Sequence, residues 1–397
     1  FLSNEINRQF IGQHINDDTG TLVLEGKKHD GIDLKTAAAL ILIYRKAQIK
    51  LPVHYQNFAA LNKKSFEQST SEAVALHKLN LIKPQNKSVL NLCGGLGVDD
   101  WAFSKVAKSV DSCDIDPEVH DLATYNLNAL DIPNVNRHLI DGLQFLNAKR
   151  KFDIIYADPD RRPGAAKVFK LEDALPDVVT NMDLILSHCE AFWIKVSPMA
   201  DLTYLRKTLA NLHKIIVISW MGDVREILLM CKSEIIAEPE VIALNADTKV
   251  GQMYTGRITY SSPEVGVDGL FLYEPDKAII KANLSKDYCS YCGMNMPDVS
   301  SHIFLSDQPH PDFMGRKFKI VKRFTYKPRE IADYLERQKI KKANITVRNF
   351  RETPELLKKR FKLNDGGDDY LIFTTGPQKQ QWMFHCMHLY TASPYLL

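Results

Sequence analysis

Two acids and two arginines stand together in Asp158-Pro159-Asp160-Arg161-Arg162, directly after the apolar run Phe152–Ala157. Carboxylates at a strand end can orient an amine or take its proton, and guanidinium groups can hold a phosphate bidentately. A second stretch, Val89 to Gly97, is an apolar run closing on Cys93-Gly94-Gly95-Leu96-Gly97, with Asp114 and Asp116 downstream. A separation of about 20 residues between such glycines and an acid is that of a nucleotide-binding strand–helix–strand unit. There the glycines let backbone turn and approach a ligand closely, and the carboxylate accepts the ribose hydroxyls of an adenosine. Lys195, in Phe192-Trp-Ile-Lys-Val-Ser-Pro198, ends a further apolar stretch. It could meet a substrate oxygen or simply extend along apolar surface to solvent. Blander roles suit other members too: Asp116 precedes Pro117 as a helix cap, and Ser69 and Glu72 have capping-box spacing.

The elements that must position these residues are legible as an alternation. Strands are predicted over Ser88–Leu92, Val110–Ile115, Val135–Ile140, Phe152–Ala157, Ala191–Val196 and Ile215–Ser219. Helices fill the gaps, notably Val98–Lys108 and Pro117–Leu130, and a helix over Pro176–His188 is predicted to help wall the site. This pattern gives a doubly wound, mostly parallel sheet with ligands at the carboxyl ends of its strands. Phe1 to about Lys64 reads as helix, including Ile32–Tyr44. Between Glu234 and Ser285, strands near Glu240–Leu244 and Gly256–Tyr260 surround a helix near Asp276–Leu284. From Arg316 onward a second α+β unit is predicted, with helices over Pro328–Gln338 and Pro354–Phe361.

At 397 residues the chain exceeds one ordinary core, so two or more domains are expected. No run approaches the ~20 apolar residues of a membrane helix, and Phe1–Arg8 lacks a signal pattern. Seven scattered cysteines suit a reducing compartment, so a cytoplasmic location is expected. Cys289-Ser-Tyr-Cys292, with His302 and His310 beyond, fits no defensible zinc spacing and is read as ordinary thiols, with no metal. The net charge of +3 conceals an asymmetry: His310 to Asp365 holds 17 Lys/Arg against 7 Asp/Glu, a local +10. That favours a polyanionic partner, although a solvated sheet face also explains the densest stretch, Lys339 to Arg351.

With these segments in view, the chain from Phe66 onward resembles the class I S-adenosylmethionine-dependent methyltransferases, especially bacterial RNA-modifying members with a C-terminal THUMP-like domain. Phe66–Ala75 looks like the segment that covers the cofactor, Val89–Gly97 like the glycine motif, and Asp114–Pro117 like the ribose motif. Ile140-Asp141-Gly142 is similar to the adenine-side motif, and Asp158–Arg161 occupies the place of the catalytic turn. The resemblance implies an α/β, Rossmann-like methyltransferase sheet over 65–232, an N-terminal helical cap over 1–64, a ferredoxin-like α+β insert over 233–315 and a basic THUMP-like domain over 316–397. It implies S-adenosyl-L-methionine bound by Asn91, Cys93, Gly94, Gly95, Gly97, Asp114, Ile115, Asp141 and Gly142. Asp158, Asp160 and Lys195 would be catalytic, and Pro159, Arg161 and Arg162 would bind substrate. The implied reaction is methylation of a base nitrogen in structured RNA, tRNA or rRNA, bound through residues 310–365. Two departures stand out: Asn91 replaces the customary acid, and Asp-Pro-Asp-Arg lacks the aromatic that would stack on a flipped base. An RNA-binding protein with a non-catalytic methyltransferase domain and a small-molecule methyltransferase therefore stay open. A nicotinamide-dependent oxidoreductase is disfavoured, since the glycines read Gly-Gly-Leu-Gly rather than Gly-x-Gly-x-x-Gly.

Overall fold

The computed structural model describes residues 1–2, 4–24, 29, 31–146, 151–161, 170–257 and 263–389, with Arg161 described by its backbone only. Arg162, the Arg161 side chain and the last residues of the strand predicted over Gly256–Tyr260 thus lie outside the described residues. The chain divides into two compact units, 1–214 with 227–239 and 215–226 with 240–397.

In the first unit β1 (Ser88–Asn91), β2 (Ser109–Asp114), β3 (Val135–Leu139), β4 (Phe152–Ala157) and β5 (Cys189–Val196) form a parallel sheet in the order β3-β2-β1-β4-β5. Val89, Leu90, Ile154, Ile155, Phe192 and Ile194 are fully buried along it, as in a sheet covered on both faces. After β6 (Leu212–Trp220), β7 (Asp223–Cys231) is a strand that the sequence reading missed. Its residues Ile227 to Cys231 run antiparallel to β5, from Val196 to Phe192. The segment Ile227-Leu-Leu-Met-Cys231 is wholly apolar and carries no alternation to mark it as a strand.

Helices α1 (Leu34–Lys50), α2 (Glu72–Ile82), α3 (Val98–Ser104) and α4 (Pro117–Ala129) belong to the same unit. Ser71, not Ser69, caps α2 by accepting from Val74 N at 3.4 Å, so the expected Ser69–Glu72 box does not form. The helix expected over Pro176–His188 forms only at Met182–Ser187. Ahead of it, Ala174–Leu175 pairs antiparallel with Asp160–Arg161. The β-branched run Val178-Val179-Thr180 disfavours helix in the intervening stretch.

In the second unit β6, from Ile215 onward, lies beside β8 (Glu240–Asn245) and then β9 (Gln252–Gly256). A six-stranded sheet follows from β10 (Phe271–Pro275), β11 (Phe304–Ser306), β12 (Gly315–Thr325), β13 (Asn344–Arg348), β14 (Asp369–Thr375) and β15 (Gln381–His388). Its order is β11-β10-β12-β15-β14-β13, so the stretches on either side of residue 315 share one sheet. Ile331 and Leu335 of α5 (Pro328–Arg337) and Leu357 of α6 (Pro354–Phe361) pack with Leu371, Phe373 and Met383. The alternating residues Ile372 and Phe384 face the other way, with Leu272, Ile303, Leu305 and Phe318.

Candidate active site

Beyond β1 the backbone turns through Gly95 at φ +53° and Gly97 at φ +86°, both in the left-handed region that favours glycine. A Cβ on Gly94 would fall 2.1 Å from both Arg137 Nη1 and Ser112 Oγ, so glycine is required there by packing. Asp114, at the tip of β2, accepts from Gly95 N at 2.9 Å and from Asp116 N at 3.0 Å. Asp116 caps α4, accepting from Glu118 N at 3.0 Å. Around this loop lies a cavity of about 350 Å³. Of the residues singled out by the sequence, Asn91, Cys93, Gly94, Gly95, Gly97, Asp114, Ile115, Asp158 and Asp160 line it, joined by Gln68, Ser69 and Thr70. Its volume lies in the range of small-molecule pockets.

Asp141 and Gly142 do not line the cavity. Asp141 instead caps the short helix Gly142–Leu146, accepting from Leu143 N at 2.8 Å and Gln144 N at 3.1 Å. Gly142 sits so close to the end of β1 that a Cβ would lie 2.4 Å from Leu92 O.

Beneath the glycine loop are two buried ion pairs that sequence reasoning did not find. Ser112, Asn91 and Tyr156 stand in register on β2, β1 and β4. All three meet the two acids in the first turn of α3. Asp100 receives Asn91 Nδ2 at 2.7 Å, Ser112 Oγ at 2.6 Å and Arg137 Nη1 at 3.1 Å. Burial raises its pKa even though Arg137 opposes the shift. Asp99 receives Thr70 Oγ1 at 3.1 Å and Tyr156 OH at 3.0 Å, and its other oxygen is 2.7 Å from Lys78 Nζ. Burial alone would raise the Asp99 pKa, but the Lys78 charge, with Lys195 adding to it, holds the carboxyl below its ordinary value. The Asn91 amide is thus committed to Asp100 and, through Oδ1, to Cys93 N at 3.3 Å.

Asp158 in the cavity wall forms an ion pair with Lys195 of β5, which does not itself line the cavity. Asp158 N donates to Cys93 Sγ at 3.1 Å, which ties this turn to the glycine loop. Burial and the adjacent Asp158 charge raise the Cys93 thiol well above its ordinary pKa. Asp160 accepts from Gln68 Nε2 at 3.3 Å. Although the residue is exposed as a whole, partial desolvation of its carboxyl and then the charge of Asp158 raise its pKa. Pro159 is buried between the two acids and does not line the cavity. In the second unit, Cys289 Sγ donates to Met294 O at 3.2 Å, and His302 Nδ1 bonds Ser285 Oγ at 2.9 Å. Among the described residues no group of three or more His, Cys, Asp or Glu is placed to hold a metal ion.

The N-terminal helices brace one wall of the cavity. Lys50 Nζ, at the end of α1, donates to Phe66 O at 2.5 Å and Glu67 O at 3.1 Å. Glu72, almost fully buried, accepts from Val53 N and His54 N at 3.0 Å and bonds His54 Nδ1 at 2.6 Å. Asn126 of α4 bonds both Ala60 N, at 2.5 Å, and Ala60 O, at 3.0 Å.

A crystal structure described as a methyltransferase from Porphyromonas gingivalis W83 superposes with a TM-score of 0.81 over 97% of this chain and 98% of that one, at 24% identity. The chain has a class I methyltransferase fold. Within the chain, residues 315–388 match the THUMP domain-like family and residues 271–313 a ferredoxin-like domain family. Two Mycobacterium tuberculosis proteins, from strains CDC 1551 and H37Rv, are each 23% identical over 306 residues, 75% of this chain and 80% of theirs. Both are named as uncharacterized S-adenosylmethionine-dependent methyltransferases.

Proposed function

We propose that this chain is an S-adenosylmethionine-dependent methyltransferase acting on a base nitrogen of structured RNA. The observation that carries the reading is that one cavity reaches from the glycine loop and Asp114 to the Asp158–Asp160 turn. An adenosyl amino acid suits its left-handed glycines, its strand-tip carboxylate and its volume. When bound, S-adenosylmethionine supplies an electrophilic methyl on a sulfonium. Asp114 would receive ribose hydroxyls, and Ile115 would lie against the adenine. Asp158, fixed by Lys195, would accept a hydrogen bond from the target amine and so orient the amine's lone pair for transfer. Asp160, with its raised pKa, takes the proton that the nitrogen releases.

RNA is favoured by the local +10 of residues 310–365 and by the exposed Lys339, Lys341, Lys342, Lys359 and Lys362 around the THUMP-like α5 and α6. Functionally we divide the chain into a brace over 1–64, a catalytic portion over 65–232, a ferredoxin-like portion over 233–315 and an RNA-docking portion over 316–397. Calorimetric titration with S-adenosylmethionine tests the first half of the proposal, and absence of binding refutes it. Tritiated-methyl transfer to total RNA from cells lacking this chain, followed by nucleoside analysis, tests the second. Label in no nucleoside refutes RNA as the substrate.

A further inference from the structure

Large apolar side chains are exposed in the cavity wall at two places among the described lining residues: Ile115, 63% exposed, and Leu175, 40% exposed. Leu96 and Val98, which also line it, are buried at 4% and 3%. Ile115 follows the ribose-site carboxylate Asp114. Leu175 has its Cα paired directly against that of Asp160 across the short antiparallel ladder. The segment that presents it is anchored. Leu171, Ala174 and Val178 around it are fully buried, and Leu171 N donates to Tyr204 OH at 2.8 Å. Leu175 is therefore held with its apolar surface beside the acids of the transfer end, where a polar lining would otherwise leave a ring unsupported.

We infer that Leu175 is the specificity contact on which the target ring lies while Asp158 and Asp160 engage its nitrogen. This rests on the methyltransferase reading above and deepens it. The turn Asp158-Pro-Asp-Arg161 brings no aromatic of its own. The apolar face comes instead from the strand that folds back against Asp160, and a flat heteroaromatic ring is the ligand that such a face, bordered by hydrogen-bonding acids, accommodates. A phosphate would gain nothing from Leu175, and a short alkyl amine would cover less of it than a ring does.

The test compares Leu175→Ser and Leu175→Phe with the wild type. Methyl transfer to total RNA from cells lacking this chain is measured as separate kcat and KM values, and S-adenosylmethionine affinity by calorimetry. Losing the apolar contact is expected to raise KM for RNA about tenfold in Leu175→Ser, with kcat within about twofold. Leu175→Phe is expected to match or lower the wild-type KM, and cofactor affinity to stay unchanged in both. An unchanged KM in Leu175→Ser overturns the inference while leaving the RNA reading intact. Loss of S-adenosylmethionine affinity in that variant also overturns it, because Leu175 would then cover the cofactor. A wild-type chain that binds S-adenosylmethionine but labels no RNA refutes the RNA reading and takes this inference with it.

Discussion

Lys78 offers a stringent check on the electrostatics of the site. Its side chain has no exposure, and Nζ lies 2.7 Å from Asp99 Oδ1 and 2.9 Å from Tyr156 OH. In Lys78→Met the Asp99 carboxylate keeps the hydroxyls of Thr70 and Tyr156 but loses the neighbouring positive charge on Lys78. Removing one partner of a buried pair costs about 3–5 kcal/mol. For a unit the size of the first one, each kcal/mol moves the midpoint by about 2–4 °C, so a fall of roughly 10 °C in its calorimetric transition is expected. Lys78→Met/Asp99→Asn removes both charges and is expected to recover most of that loss, which a double-mutant cycle reads as strong coupling. The pH dependence has a definite sign. In the wild type Asp99 is held below its ordinary pKa, so the contribution of the pair is complete at neutral pH and fades only as pH falls through that depressed value. In Lys78→Met, burial is the dominant influence left and raises the Asp99 pKa. The stability gap between variant and wild type should then narrow as pH falls toward the carboxylate range. A loss below about 1 kcal/mol, or a double variant no more stable than the single ones, would refute the reasoning.

Three further outcomes follow from the site. With Asp160 as proton acceptor, the rate of methyl transfer should rise with pH through a value above the ordinary aspartate pKa; Asp160→Asn should abolish that limb and slow transfer by about 10²–10⁴ without changing S-adenosylmethionine affinity. Gly95→Ala meets nothing within 4 Å, so its cost should be limited to the strain of a positive φ, about 1–2 kcal/mol in thermal melts, together with weaker cofactor binding in calorimetry. Replacing Lys339, Lys341 and Lys342 with Ala should flatten the slope of log K against log salt for RNA binding by up to about 2–3 while leaving cofactor affinity alone.

The glycine loop, Asp114 and the Asp158–Asp160 turn were legible because each is a local backbone requirement written in a few consecutive residues. Lys78, Asp99, Asp100 and Arg137 were not. Their partners are 8 to 78 positions away along the chain, and only strand register brings Ser112, Asn91 and Tyr156 onto one face. Asn91 read as a lost charge; in the fold its amide bridges Asp100 and the loop backbone. Glu72 shows how a local rule is overridden. Its spacing from Ser69 suggested a capping box, yet its carboxylate is taken by the backbone of Val53 and His54. The short helix at Met182–Ser187 and the unalternating strand β7 were obscured by β-branched and uniformly apolar composition.

The brace formed by Lys50, Glu72 and Asn126 alters where the chain can be cut to a minimal unit. A chain started at Lys63 would retain the glycine loop, both ion pairs and the acids Asp158 and Asp160. It would nevertheless lose the ammonium that holds the carbonyls of Phe66 and Glu67. It would also strip Glu72 and Asn126 of the backbone groups that they now satisfy. The smallest unit with an intact pocket is therefore expected to begin upstream of α1, and domain shuffling that preserved only the recognisable motifs would deliver a pocket with one wall unsupported.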